Sequence, residues 1–198
     1  ITIVPRKGTA IDVAPANVII DNNILNATGS VGMGVRLTYS AATGTPVSKT
    51  SGFILRNNTI TAQRRLLEFN YNDGAQVYGN TFNLTQNVAP GALIYGIFGS
   101  TGIIGIINIY NNKFIQATLT ESGASGAWGI RLISLASGPT AWNIYNNTFA
   151  GMNRNQTAGA ATLNLSYIQV SFGTANIYHD TFYMPALTSP AALGYYHA

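Results

Sequence analysis

The chain has 198 residues, 46% of them hydrophobic and only 8% charged, with a net charge of +4 and no cysteine. That apolar content excludes intrinsic disorder, and the missing cysteines exclude disulfides, zinc–thiolate sites and thiol catalysis. Ten cations, with Arg6-Lys7 and Arg64-Arg65 as the only doublets, make no basic stripe for nucleic acid, and no apolar run reaches the ~20 residues of a membrane-spanning helix.

Residues 1–15 read as a leading segment in which Ile1 to Val4 form a short apolar strand closed by Pro5. From there a pattern recurs six times: an aliphatic residue, a free position, a small or polar residue, Asn, a free position, then Phe or Ile. Its copies are Ile19 to Ile24, Leu55 to Ile60, Val77 to Phe82, Ile109 to Phe114, Ile144 to Phe149 and Ile177 to Phe182. The fourth position is Asn22, Asn58, Asn80, Asn112, Asn147 and Asp180, at steps of 36, 22, 32, 35 and 33 residues. About 22 residues at strand rise close one turn of a three-sided coil, and the longer steps add loops. Residues 40–51, 121–127 and 151–160, rich in Gly, Ala, Ser, Thr or Asn, read as those loops.

Between the motifs lies a second apolar strand in each coil: Val35-Arg36-Leu37, Leu67-Glu68-Phe69, Ile94 to Ile97, Ile130-Arg131-Leu132 and Ile168-Gln169-Val170. Alternation turns the aliphatic residues inward and Arg36, Glu68, Arg131 and Gln169 outward. No helical period is sustained. The expected corner residue is Asn because a tight bend needs a left-handed residue, which Asn tolerates best after Gly. Coils stacked about 4.8 Å apart let its amides hydrogen-bond up the stack.

These six copies resemble the right-handed parallel β-helix repeat of pectate-lyase-like proteins, periplasmic copper-site maturation proteins and phage tailspikes. The expected fold is all-β: a right-handed, single-stranded parallel β-helix of about six coils with an asparagine corner ladder. One domain spans 1–198, with coils over 16–183 and a closing segment over 184–198. The resemblance implies acidic calcium ligands with an Arg or Lys base in lyases, and a carboxylate pair in hydrolases. Here the acids are Asp12, Asp21, Glu68, Asp73, Glu121 and Asp180. Only Glu68 and Asp73, near Arg64 and Arg65, offer a catalytic grouping, and Arg36 one coil below makes Glu68 a surface ion pair first. His179 and His197 are too few for a metal cluster, so no metal and no cofactor is expected. The reading is therefore non-catalytic, with a polysaccharide lyase or glycoside hydrolase as the alternative.

Surface features point to binding and assembly. The residue after each opening aliphatic reads Ile20, Arg56, Tyr78, Tyr110, Tyr145 and Tyr178. The four tyrosines form an outward ribbon for sugar rings or a neighbouring subunit. Asn26, Asn83 and Asn155 are the candidate glycan carriers. Solenoids need caps at their open ends, and neither Ile1 to Val4 nor Met184 to Ala198, with Pro185, Pro190 and Tyr195-Tyr196, reads as a charged helical cap. The expectation is a structural or adhesive subunit of an extracellular filament or virion spike. Its partners would be copies of itself and polysaccharide, with no nucleic acid and no membrane span.

Overall fold

The computed structural model describes residues 1–3, 6–7, 12–13, 15–27, 32–37, 49–87, 93–121, 128–136, 141–156, 163–183 and 194–195. They form an all-β parallel solenoid with three faces, and no helix occurs among them. The entry sheet carries the strands that run into the asparagine corner: Ile19–Asp21, Thr50–Arg56, Asn72–Tyr78, Ile104–Tyr110, Ala141–Tyr145 and Ala175–Tyr178. The exit sheet carries the strands that leave it: Ile24–Ala27, Thr59–Ala62, Thr81–Asn87, Lys113–Glu121, Thr148–Phe149 and Thr181–Phe182. The return sheet holds Thr2–Ile3, Met33–Leu37, Arg65–Phe69, Leu93–Gly99, Trp128–Leu135, Leu163–Val170 and Gly194–Tyr195. Arg6–Lys7 and Asp12–Val13 pair apart from these as a small antiparallel ladder.

The strand counts are seven, six and seven, which corrects the expectation of a uniform stack of about six coils. Thr2–Ile3 adds a strand beneath the first motif. Met152–Gln156, expected in a loop, instead pairs with Lys113–Glu121 beside Thr148–Phe149. Thr50, Ser51 and Glu121, also expected in loops, belong to the strands Thr50–Arg56 and Lys113–Glu121; 40–48, 122–127 and 157–160 fall outside the described residues, as do Val4, Pro5, Pro185, Pro190 and Tyr196.

Like residues stack on like because every coil repeats one inward pattern. Leu55, Val77, Ile109 and Ile144 form a fully buried aliphatic column behind the entry sheet. Phe82, Phe114, Phe149 and Phe182 form an aromatic column behind the exit sheet, with ring centroids 4.9, 4.9 and 5.1 Å apart. That spacing is the strand separation itself, so ring contact and ladder hydrogen bonds reinforce one another. Trp142 and Phe69, 6.5 Å apart, fill the middle of the core.

The corner differs from expectation by one residue. Positive φ falls on Asn22, Asn57, Asn111, Asn146, His179 and Gly79, each preceding the ladder residue. Gly79 is the one copy without a side chain there, and a Cβ on it would lie 2.7 Å from Asn57 Oδ1. The bend thus uses one residue for its torsion and the next for its hydrogen bonds. Register also moves the first copy: Asp21 sits against Arg56, so Asn23 and not Asn22 stands below Asn58. The doubled Asn22-Asn23 concealed this, because either residue satisfies the pattern.

Candidate functional site

The corner ladder is built from four buried amides, Asn58, Asn80, Asn112 and Asn147, below which stands the exposed Asn23. Asn23, Asn58, Asn80 and Asn112 each donate from the backbone N–H and from Nδ2 to Oδ1 of the Asn in the next coil, at 2.9–3.1 Å. Asn147 gives the same pair to Asp180 Oδ1, at 2.7 and 3.0 Å. Each Nδ2 also reaches a main-chain carbonyl one coil back: Asn58 to Ile20, Asn80 to Leu55, Asn112 to Val77 and Asn147 to Ile109. The ladder has a direction, with donors pointing towards later coils, and Asp180 ends it because a carboxylate only accepts. Asp180 Oδ2 is buried without a hydrogen-bond partner. Burial holds this carboxyl above the ordinary range, although the two bonds from Asn147 pull the other way.

The tyrosine ribbon lies outward on the entry sheet, in register. Ring centroids of Tyr78, Tyr110, Tyr145 and Tyr178 are 4.9, 4.9 and 5.0 Å apart, with interplanar angles of 11°, 4° and 1°. The rings stack on one another, so inner faces are taken and the row presents edges and hydroxyls. Among the described residues, the two end rings, Tyr78 and Tyr178, each keep one face with no ring stacked on it, and Arg56 stands beside Tyr78. Burial and neighbouring tyrosines keep the hydroxyls of Tyr110 and Tyr145 above their ordinary pKa, as neutral donors. Asp21, not Ile20, begins this row, while Ile20 points into the core. Asp21 Oδ2 meets Arg56 Nη2 at 2.8 Å, and Arg56 Nη1 donates to the Tyr78 hydroxyl at 3.1 Å. The Asp21 pKa is lowered first by the side-chain bond from Arg56 and then by that from Asn57 Nδ2 to Oδ1, at 3.1 Å.

A second outward row runs parallel to the tyrosines, two residues earlier in each strand: Gln76, Asn108, Asn143 and Asn176. Asn176 Nδ2 donates to Asn143 Oδ1 at 2.9 Å, and Asn143 Nδ2 to Asn108 Oδ1 at 2.8 Å. The Tyr110 hydroxyl meets Gln76 Oε1 at 3.4 Å. Sequence reasoning missed this row. Its signal was present as an amide two residues before each tyrosine, in Gln76-Val77-Tyr78 and its three successors.

The catalytic alternative draws its residues from different faces. Glu68 lies on the return sheet and Asp73, exposed, on the entry sheet. Glu68 is only 3% exposed. Its Oε2 meets Arg36 Nε at 3.2 Å and Arg65 Nη1 at 2.7 Å, and its Oε1 accepts from Asn70 Nδ2 at 2.8 Å. The Arg65 guanidinium lies over Phe98 and Tyr95, 4.8 and 5.5 Å from their centroids. Both carboxylate oxygens are engaged, so the grouping is built as a covered ion pair. Among the described residues, Arg64 bonds through its main chain, to Gly32 and Tyr95, and not to Glu68. Arg131 stands opposite Tyr95 and Ser166, not in the row of Arg36 and Glu68.

Among the candidate glycan carriers, Asn26 is exposed and Asn83 is half-buried with Nδ2 3.4 Å from Thr61 Oγ1. Asn155 sits in Met152–Gln156 opposite Thr120, and its side chain lies outside the described residues. No group of three His, Cys, Asp or Glu converges among the described residues.

The ends are unequal. Thr2–Ile3 pairs with Met33–Leu37 of its own chain, and the Ile1 amino group donates to the Gly34 carbonyl at 2.8 Å. The N-terminal strand therefore pairs within its own chain. Ile20, the inward residue of the first motif strand, is 7% exposed, whereas Ile177 and Phe182, the inward residues of the last rung, are 40% and 48% exposed.

Compared with family models, curated proteins and solved structures, the chain matches none.

Proposed function

We propose that this chain is a non-catalytic structural or adhesive subunit of an extracellular filament or virion spike that assembles through its ends and contacts carbohydrate along its side. Its repeat resembles that of pectate-lyase-like proteins and tailspikes, and the proposed role is nearer that of a spike than of a lyase. The observation that carries the reading is the last rung. Ile177 and Phe182 continue core columns yet stand half open to solvent, with Phe172, Tyr178 and Tyr183 exposed around them. Open strand edges over exposed core invite pairing.

What favours the C-terminal rung as the assembling surface is its exposed core residues, whereas Thr2–Ile3 pairs within its own chain. Sedimentation velocity and negative-stain electron microscopy of the purified chain test it. The parent should form dimers or longer assemblies, and Phe182→Lys combined with Ile177→Asp should leave a folded monomer. A parent that sediments as a single monomeric species overturns the proposal.

A further inference from the structure

The entry sheet holds a cleft of about 350 Å³ beside the tyrosine row, walled by Ile54 and Ile106 and edged by Asn17, Asp73, Gln76 and Asn108. That is the lower end of the roughly 300–1,000 Å³ typical of small-molecule sites. A register shift creates it. Between Asp73 and Ala75 the neighbouring strand carries an extra residue, so Gly105 and Ile106 bulge opposite Gly74. Bulges re-aim side chains, and this one turns Ile106 outward, half exposed. Gly105 adopts φ +72°, and a Cβ on it would lie 2.5 Å from Asp73 Oδ1. The glycine is what lets the Asp73 carboxylate rest at the cleft edge.

Part of the hydrogen-bonding capacity at this cleft is unspent. The amide row passes its bonds from Asn176 to Asn143 to Asn108, and Asn108 receives with Oδ1. Its Nδ2 makes no hydrogen bond to a described residue. Gln76 receives at Oε1 from Tyr110, which leaves its Nε2 to donate. No hydrogen bond or ion pair from a described residue reaches Asp73, although it is the one carboxylate at the cleft. Two amide donors and one carboxylate acceptor thus face a space with aliphatic walls, and no Lys or Arg among the described residues lines it.

We propose that this cleft binds one hexose unit of a neutral oligosaccharide. Vicinal hydroxyls donate to the Asp73 carboxylate while ring and hydroxyl oxygens accept from Asn108 Nδ2 and Gln76 Nε2, and the C–H face lies on Ile54 and Ile106. Acidic sugars are disfavoured, because no cation among the described residues stands beside Asp73 to offset a second negative charge. The tyrosine hydroxyls flank the unit and extend contact to its neighbours along the chain. This deepens the carbohydrate-contact part of the proposed function and locates it away from the assembling end.

Isothermal titration with maltohexaose, laminarihexaose, trigalacturonate and a glucosamine oligomer, at millimolar concentrations, provides the test. At least one neutral glucan should bind, and Asp73→Asn and Asn108→Leu should each weaken it about tenfold or more. Their melting and sedimentation should match the parent. The proposal is overturned if no neutral glucan binds, if trigalacturonate binds as well, if only the cationic glucosamine oligomer binds, or if both variants bind like the parent. Loss of binding with assembly intact would sink this cleft alone, and loss of assembly with binding intact would sink only the reading of the ends.

Discussion

Replacing Asn112 by Ala removes the middle of the corner ladder. The side chain accepts two bonds from Asn80, at 3.1 and 3.0 Å, and gives two, to Asn147 Oδ1 at 3.0 Å and the Val77 carbonyl at 2.9 Å. Asn80 Nδ2 keeps its bonds to the Leu55 and Tyr78 carbonyls, so its loss is partial. The Asn80 N–H and the Val77 carbonyl lose these partners in a region where the ladder amides are 1% exposed. Leaving a buried polar group unsatisfied costs roughly 1–3 kcal/mol. With two such groups and some relaxation, the change should cost about 2–4 kcal/mol. For a chain of this size that is a fall in Tm of about 5–15 °C. Asn111→Ala is the matched control, since Asn111 supplies only a left-handed backbone, at φ 55°, and its replacement should cost about 1–2 kcal/mol. Circular-dichroism melts of both variants decide the matter. If Asn112→Ala melts within a degree of the parent, or costs less than Asn111→Ala, the ladder does not hold the corner.

The other expectations concern charge and the ribbon. Asp180 has a folded-state pKa raised above the ordinary 3.8, so its proton is held more tightly in the folded state and stability falls as pH rises through that interval. Asp180→Asn should therefore raise Tm at pH 7, by an amide bond's worth of about 0.5–1.5 kcal/mol, and lose the advantage near pH 3. An equal gain at both pH values would refute this. Glu68→Ala leaves Arg65 and Arg36 facing a buried gap. Because Arg36 is itself 39% exposed, the cost should be about 2–3 kcal/mol in urea unfolding, below the 3–5 of a fully buried pair. Changing Tyr110 and Tyr145 together to Ser should leave the far-ultraviolet spectrum unchanged and lower Tm by a few degrees, since about 0.5–1.5 kcal/mol attends each stacked pair. Loss of fold would show that the ribbon is structural core rather than surface.

The repeat made the solenoid legible, because an inward aliphatic, a bend and an inward aromatic recurring at coil length admit few other folds. The line of four tyrosines and the pairing of Arg36 with Glu68 followed from that periodicity alone. What the sequence left open were matters of one residue. Asn22-Asn23, Asn57-Asn58, Asn111-Asn112 and Asn146-Asn147 are doublets, and composition does not say which member bends and which bonds. Pairing decided it: once Asp21 lies against Arg56, Asn23 enters the ladder and Asn22 takes the left-handed torsion.

Ring orientation was equally beyond a linear reading. Strand spacing sets tyrosines about 4.9 Å apart, but only their packed rotamers turn the faces together and leave edges for solvent. The cleft at Asp73 needed a bulge that spans two strands, and a bulge has no signature in either strand alone. Inward and outward identity is carried by the chain, since alternation is local and every coil repeats it. Register, ring facing and the open last rung arise between coils, where each residue's partner lies some 20 to 35 positions away.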